Sequence, residues 1–398
     1  METNGSWLRT RGQRDSGKVS MTELFFDLVF VFAVTQLSHT LLEHLDLGGF
    51  LRTSVLFLAV WWLWIFTSWC TNWLNPDTTA VRLLLFALML GGLVLSSSIP
   101  QAFGAAGLAF GLLFAIMQVG RSLFMVRAFR GHREQRDNFL RVALWLLVSG
   151  AFWLAGGLLE GQARVLCWCV ALGIEYVSPA LYFRVPGLGR SRTSDWNVDG
   201  AHLAERCMLF VIIALGESLL VTGATFSQLA WTPPTMAAFL AAFLGSVAMW
   251  WIYFDSGAEH GSHRIAGSDD PGRIARIAYT YLHLLIVAGI IVCAVADELV
   301  LMHPDHATPA GVVAILGGPA LYLAGNALFK WLTWDRRFPP LSHLAGLVLL
   351  ALMAGWAVWA HPSALALGIG TTAVMVIVAV WETRALRRGR AATPIAGS

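Results

Sequence analysis

The sequence predicts an all-α polytopic membrane protein of about twelve transmembrane helices, arranged as two parallel six-helix repeats. Three observations carry that reading. The 398 residues are 57% apolar and only 13% charged, and their mean hydropathy of +0.65 is far above that of a water-soluble domain. The apolar residues fall in runs long enough to cross a hydrocarbon core of roughly 30 Å. The basic residues fall in alternate loops between those runs. A soluble enzyme is thereby excluded, because the charges are too few and too bunched to coat its surface. The formal charge of +3, from 27 basic and 24 acidic residues, reports loop placement and not affinity for nucleic acid.

The expected spans are 22–44, 51–73, 80–99, 103–127, 138–158, 163–183, 204–224, 234–254, 274–296, 310–333, 341–360 and 362–383. Each is read as a helix, which satisfies its own backbone in lipid, since none shows the short alternating pattern of a membrane barrel. The first span follows a basic tail (Arg9, Arg11, Arg14, Lys18) and could pass for a secretory signal. Asp27 interrupts its apolar run and no small-residue cleavage site follows, so it reads as a retained helix.

Orientation follows from the loops. Five Arg lie between 127 and 141, four between 184 and 206, three basic residues between 264 and 276, three between 330 and 337, and four Arg after the last span. The opposite loops hold only Arg52 and Arg164. The positive-inside rule then puts both termini in the cytoplasm, in the cytoplasmic membrane. The expected division is a tail at 1–21, a first half at 22–184, a linker at 185–203, a second half at 204–384 and a tail at 385–398.

The repeat rests on internal matches: Trp64-Ile65-Phe66 with Trp251-Ile252-Tyr253, Gly120-Arg121-Ser122-Leu123-Phe124 with Gly325-Asn326-Ala327-Leu328-Phe329, and Glu23 with Glu205. Their separations rise along the chain, as later insertions in the second half would produce. Six spans per half is even, so the halves share one orientation about an axis along the membrane normal.

An ionisable group inside the bilayer costs on the order of 2.5 to 3.5 kcal/mol on insertion scales and needs a partner, a wet cavity or a purpose. Glu23, His202, Glu205, Arg206 and Asp255 lie near span ends, where snorkelling or helix-end electrostatics accounts for them. Glu217 differs, lying about 18 Å beyond Glu205 at 1.5 Å per residue. Arg121 and Glu175 lie inside their own spans, which suggests a buried Arg-carboxylate pair, either an interhelical lock or part of an ion site. His283 reads equally as a proton relay or a packing histidine. The candidates for solute or ion binding are therefore Asp27, Arg121, Glu175, Glu205, Arg206, Glu217 and His283.

Other groups carry less. Glu259, His260 and His263, and His303 with His306, have spacings a metal could use, but loops gather histidines by chance, and no metal or cofactor is expected. The five cysteines fall in apolar runs without a CxxC pair and read as packing residues. No HExxH, GxSxG, GxGxxG or P-loop pattern occurs, so no enzyme activity is expected. Close-spaced small residues such as Ala241 and Gly245 suit tight helix contacts.

Two blocks carry a family resemblance: Glu23-Leu24-Phe25-Phe26-Asp27-Leu28-Val29-Phe30-Val31-Phe32-Ala33, and His202-Leu203-Ala204-Glu205-Arg206-Cys207 through Leu209-Phe210-Val211-Ile212-Ile213-Ala214-Leu215-Gly216-Glu217-Ser218. With them the chain strongly resembles the bacterial low temperature requirement protein A family. Thr71-Asn72, Gln118 to Arg121, Asp195-Trp196, Trp250 to Phe254 and Tyr281 to His283 extend the likeness over most of the chain. The resemblance implies a role in growth in the cold and supplies no substrate, while placing Asp27, Arg121, Glu205, Arg206, Glu217 and His283 at motif positions. Phe26-Asp27 with Phe30, Phe32-Ala33 and Thr35 is also similar to the first-helix motif of the lysosomal potassium and proton channels, which carry two six-helix repeats. The second half here reads Met208-Leu209 at the corresponding place.

The expected function is a proton- or cation-coupled secondary transporter, its partners being the lipid bilayer and a small solute or ion. A cation channel of two six-helix repeats and a membrane-embedded lipid-handling protein are the alternatives.

Overall fold

A computed structural model describes residues 6–9, 18–192, 196, 198–255, 271–334 and 337–392. Of the residues singled out above, Arg11, Arg14, Asp195, Glu259, His260, His263, Arg264 and Arg336 lie outside this set.

Twelve long helices follow in order: α1 (Met21–Glu43), α2 (Leu47–Thr71), α3 (Thr79–Ser98), α4 (Gly107–Ala128), α5 (Arg133–Leu158), α6 (Gly161–Val177), α7 (Gly200–Ser227), α8 (Pro233–Phe254), α9 (Gly272–Met302), α10 (Pro309–Thr333), α11 (Leu341–Ala360) and α12 (Ala364–Ala392). The described residues contain no strand, only two isolated bridges. Eleven of the helices are long and apolar enough to cross a membrane. The sixth expected span is shorter than its apolar run. α6 stops at Val177, with Ser178 still helical: Pro179 has no N–H to continue the hydrogen-bond ladder, and the chain then turns through Tyr182 (φ 52°) and Phe183 (φ 45°).

Helix starts follow local chemistry. Asp46 accepts a hydrogen bond from Gly49 N at 2.7 Å before α2, and Thr308 accepts from Gly311 N at 3.0 Å before α10. Pro309 and Pro233 occupy first turns, where a missing N–H costs nothing. Inside α9, Arg276–Leu282 is π-helical, and inside α10, Pro319 interrupts the hydrogen-bond ladder.

The chain divides into two compact units, Met1–Arg206 with Asp269–Arg273, and Cys207–Ser268 with Ile274–Ser398. In the first unit α2 is central. Every residue from Ala59 to Thr71 is buried, and α2 packs against α1, α4 and α6, while α3 lies on α1, and α4, α5 and α6 follow one another. A helix apolar on all sides belongs in an interior. Trp61, Trp62 and Trp64 are almost fully buried there.

In the second unit α9 and α10 form the tightest pair, with α8 against α12 and α11 against α10 and α12. Thr372 on α12 donates to the Ala241 carbonyl of α8 at 3.1 Å, so small residues at Ala241 and Gly245 do allow close approach. Outward faces in both units carry Leu83, Leu90, Leu166, Leu220, Leu352 and Trp359, all exposed. Such apolar surface suits lipid, and the protein is a multi-pass membrane protein. All five cysteines are free thiols.

Not every loop arginine is a solvated charge. Arg164 is 4% exposed and donates to the carbonyls of Ala102, Gly104, Gly156 and Leu159 at 2.7 to 3.1 Å. It closes the C-terminal end of α5, where orphan carbonyls favour a cation.

Candidate functional site

Two networks of ionisable side chains lie inside the first unit, and both are anchored on α2. The first begins with local helix chemistry. Ser20 caps α1 and Glu23 completes the capping box, its Oε2 accepting from Ser20 N at 2.9 Å. The same carboxylate receives Arg9 Nη2 at 2.8 Å and His202 Nε2 at 2.9 Å. Asn72 Nδ2 lies 3.3 Å from His202 Nδ1. The orientation of Asn72 is fixed by its bonds to the backbone of Asp199, at 2.9 Å to the carbonyl and 2.8 Å from the N–H. His202 Nδ1 therefore accepts, and Nε2 carries the proton donated to Glu23.

One helical turn further along α1, Asp27 Oδ1 accepts from Trp64 Nε1 at 2.7 Å and from Arg206 Nη2 at 2.8 Å. Arg206 also places Nη1 3.8 Å from Glu23 Oε1, so one guanidinium spans both carboxylates of α1. Its second bond from Nη2, to Ser68 Oγ at 3.1 Å, anchors it to α2, and the rings of Phe26 and Trp64 face it at 5.8 Å. Glu23, Asp27 and Arg206 are completely buried and His202 nearly so. These are not span-end groups reaching for water, as expected for Glu23, His202 and Arg206. The half-buried Glu205 is tied down differently, its Oε2 accepting from Val19 N at 3.0 Å. Asp255 is exposed and accepts from Thr383 at 2.8 Å, as a helix-end residue should.

Two carboxylates thus face two guanidiniums through a neutral imidazole, and the cluster balances its charge without solvent. It is not saturated. Among the described residues, Asp27 Oδ2 and Arg206 Nε and Nη1 have no hydrogen-bond partner. The carboxylate oxygen remains able to accept a proton or a hydrogen bond, and the two guanidinium nitrogens remain able to donate to a small polar ligand.

The second network joins Arg121 and Glu175 in a way the sequence did not suggest. They form no direct pair, because Gln118 stands between them. Arg121 Nη2 donates to Gln118 Oε1, and Gln118 Nε2 donates to Glu175 Oε2 at 2.8 Å. Arg121 Nη1 donates to the Leu63 carbonyl at 3.1 Å and to Thr67 Oγ1 at 2.9 Å on α2. Glu175 Oε1 accepts from Ser149 at 2.8 Å and from Trp153 at 2.9 Å on α5. Four helices, α2, α4, α5 and α6, meet in this network. Both oxygens of Glu175 are engaged, which fits a lock better than a ligand site.

In the second unit, Glu217 is 7% exposed, near the middle of α7. His283 follows the π-helical turn, and its Nδ1 lies 2.8 Å from the Ala278 carbonyl. Nδ1 must donate there, so Tyr253 Oη donates to Nε2 at 2.7 Å. Both ring nitrogens are engaged, and Phe329 packs edge-on at 4.7 Å. Such engagement fits a packing histidine better than an open relay.

An ion pair in this unit was hidden in a loop count. Lys330, taken from sequence as a loop cation, is fully buried. Its Nζ lies 2.8 and 2.7 Å from the two oxygens of Glu382 and 2.6 Å from the Ile252 carbonyl. The available signal was Glu382 itself, an acid inside the last apolar run, which demands a partner.

The comparisons with known proteins agree with the sequence reading. The model of the bacterial low temperature requirement A protein family matches residues 18–380. An uncharacterized protein of Rhizobium meliloti (strain 1021) is 41% identical over 392 residues, which cover 98% of this chain and 94% of that protein. No solved structure matches.

Proposed function

The chain belongs to the bacterial low temperature requirement A family, and from that premise we propose that it is a proton- or cation-coupled secondary transporter of the cytoplasmic membrane, with both termini cytoplasmic. The observation that carries the reading is the buried Glu23–Arg206–Asp27 bridge with its unused Asp27 Oδ2. A proton arriving on Asp27 removes the charge that Arg206 faces and frees the guanidinium for a solute anion or for Glu23. Loss of the proton restores the bridge. That exchange couples protonation to the contact between α1 and α7, as a carrier requires. Glu217 is a buried acid of the second unit.

The alternating-access architecture is supported by matching packing within the units. The pairs α2 with α4, α2 with α6, α3 with α4, α4 with α5 and α5 with α6 correspond to α8 with α10, α8 with α12, α9 with α10, α10 with α11 and α11 with α12. Two repeats of one orientation would share these pairs, while α8 with α9, α9 with α12 and α10 with α12 have no equally close counterpart in the first unit. A channel reading needs Asp27 on a water path. Here Trp64 and Arg206 cover it and it is 0% exposed, which favours a carrier.

The test is proton movement by the purified protein in liposomes across a panel of ions and small metabolites. A substrate-dependent proton signal is expected in wild type and absent in Asp27→Asn and Glu217→Gln. Full coupled flux in both variants would remove these carboxylates from the mechanism. Silence of folded, inserted wild-type protein across the panel would end the carrier reading.

A further inference from the structure

An acid on α9 stands apart from every network above. Asp297 lies five residues before the end of α9, within the run Ile290-Ile291-Val292-Cys293-Ala294-Val295-Ala296 and Leu299-Val300-Leu301. Among the described residues it makes no hydrogen bond and no ion pair. Half-buried itself, it lines a cavity of about 30 Å³ between α8, α9, α10 and α12. That volume holds about two water-sized spheres.

The other walls supply oxygen. Thr371 and Thr372 of α12 line the cavity. Each hydroxyl spends its proton on a carbonyl, Gly368 at 3.0 Å and Ala241 at 3.1 Å, so its lone pairs remain to accept. Pro319 of α10 also lines it, together with Ile315 four residues earlier. Proline has no N–H, so the Ile315 carbonyl lacks its normal helical partner. A carboxylate, two hydroxyl acceptors and the residue whose carbonyl has lost its usual helical donor thus line a space whose walls hold no basic group.

From this juxtaposition we infer that the cavity is a binding site for a monovalent metal cation of the sodium class, held by Asp297 with Thr371, Thr372 and the Ile315 carbonyl. Charge selects the valence. One carboxylate neutralises one positive charge, whereas a divalent ion would leave a net charge among apolar helices. Donor chemistry selects a hard cation, since carboxylate, hydroxyl and carbonyl oxygens suit alkali and alkaline-earth ions. Met249, Met375 and Cys293 also line the space. These need no ligand to explain them, being ordinary core fillers, while an unpartnered carboxylate does.

A larger cavity of about 240 Å³ lies between the end of α9 and the start of α10, lined by His303, His306, Thr308 and Gly311, and Ile315 stands as a wall between it and the Asp297 cavity.

The inference rests on the coupled-transport reading for the use of the ion and not for its binding. The test therefore reads binding alone: radioactive sodium on the full-length, detergent-solubilised protein in a choline buffer. Saturable single-site binding is expected in wild type, weakened at least tenfold in Asp297→Asn and unchanged in Ser149→Ala. Pro319→Ala returns an N–H to the Ile315 carbonyl, and Thr372→Val removes a hydroxyl. Both should weaken binding several-fold with the carboxylate intact, which guards against an Asp297→Asn variant that fails to fold. Absence of saturable sodium binding to folded wild type, or unchanged binding in Asp297→Asn, overturns the site. Silver binding without sodium binding also overturns it, by assigning the cavity to its sulfurs. Absence of sodium binding in wild type alongside intact substrate-driven proton movement would remove this site and leave the transport reading standing. The reverse result would do the opposite.

Discussion

Arg206 and Asp27 are 179 residues apart in sequence, yet Nη2 of one lies 2.8 Å from Oδ1 of the other, and neither is reached by solvent. A buried pair broken on one side leaves an uncompensated charge, a loss of about 3 to 5 kcal/mol. Arg206→Met is therefore expected to lower the unfolding midpoint in mixed micelles sharply. Arg206→Met with Asp27→Leu should regain much of that loss, because no lone charge remains near Trp64. If the double variant is as unstable as the sum of the two single ones, the pair is not the unit that matters.

Gln118 offers a more selective probe of the second network. Its amide receives Arg121 on one side and donates to Glu175 on the other. Gln118→Met keeps the volume and removes both bonds, which should cost on the order of 1 to 3 kcal/mol for each buried group left unsatisfied. Ser149→Ala removes only one of three donors to Glu175 and should cost less. Equal effects in the two variants would contradict the bridging role of Gln118.

The Lys330–Glu382 pair distinguishes buried from loop charge. Lys330→Met should destabilise the protein by about 3 to 5 kcal/mol. A surface lysine would yield a change near zero. Thermal unfolding followed by size-exclusion chromatography reads the difference directly.

Close packing of α9 on α10 turns on glycine. A Cβ at Gly289 would stand 2.5 Å from the backbone nitrogen of Tyr322, a contact that only movement of a helix can relieve. Gly289→Leu is expected to destabilise by roughly 1 to 3 kcal/mol or more. Gly317 meets nothing within 4 Å, so Gly317→Leu should be nearly neutral, and comparable melting of the two variants would count against this interface.

The spans were legible because insertion in lipid is a length and polarity criterion that one segment satisfies or fails alone. The residues of the first block, Glu23 and Asp27, and of the second, Arg206 and Glu217, could also be picked out, since charge inside an apolar run stands out wherever it occurs. Pairing could not. Periodicity along α1 says that Glu23 and Asp27 share a face, but not that α7 presents Arg206 to it. Arg121 and Glu175 suggested a direct pair because charge is visible in sequence, whereas a glutamine's two-sided amide acquires its bridging role only from where four helices meet. Lys330 misled for the same reason, its position near a span end saying nothing of the acid that waits on α12. Asp297 was passed over near the end of its run, and only packing shows that no cation answers it. The sequence by itself determined that this chain crosses a membrane many times and which side chains cannot be there idly. The tertiary structure alone decided which of them are partnered, because hydrogen bonds form between helices up to 179 residues apart, over distances of about 3 Å that no one-dimensional spacing encodes.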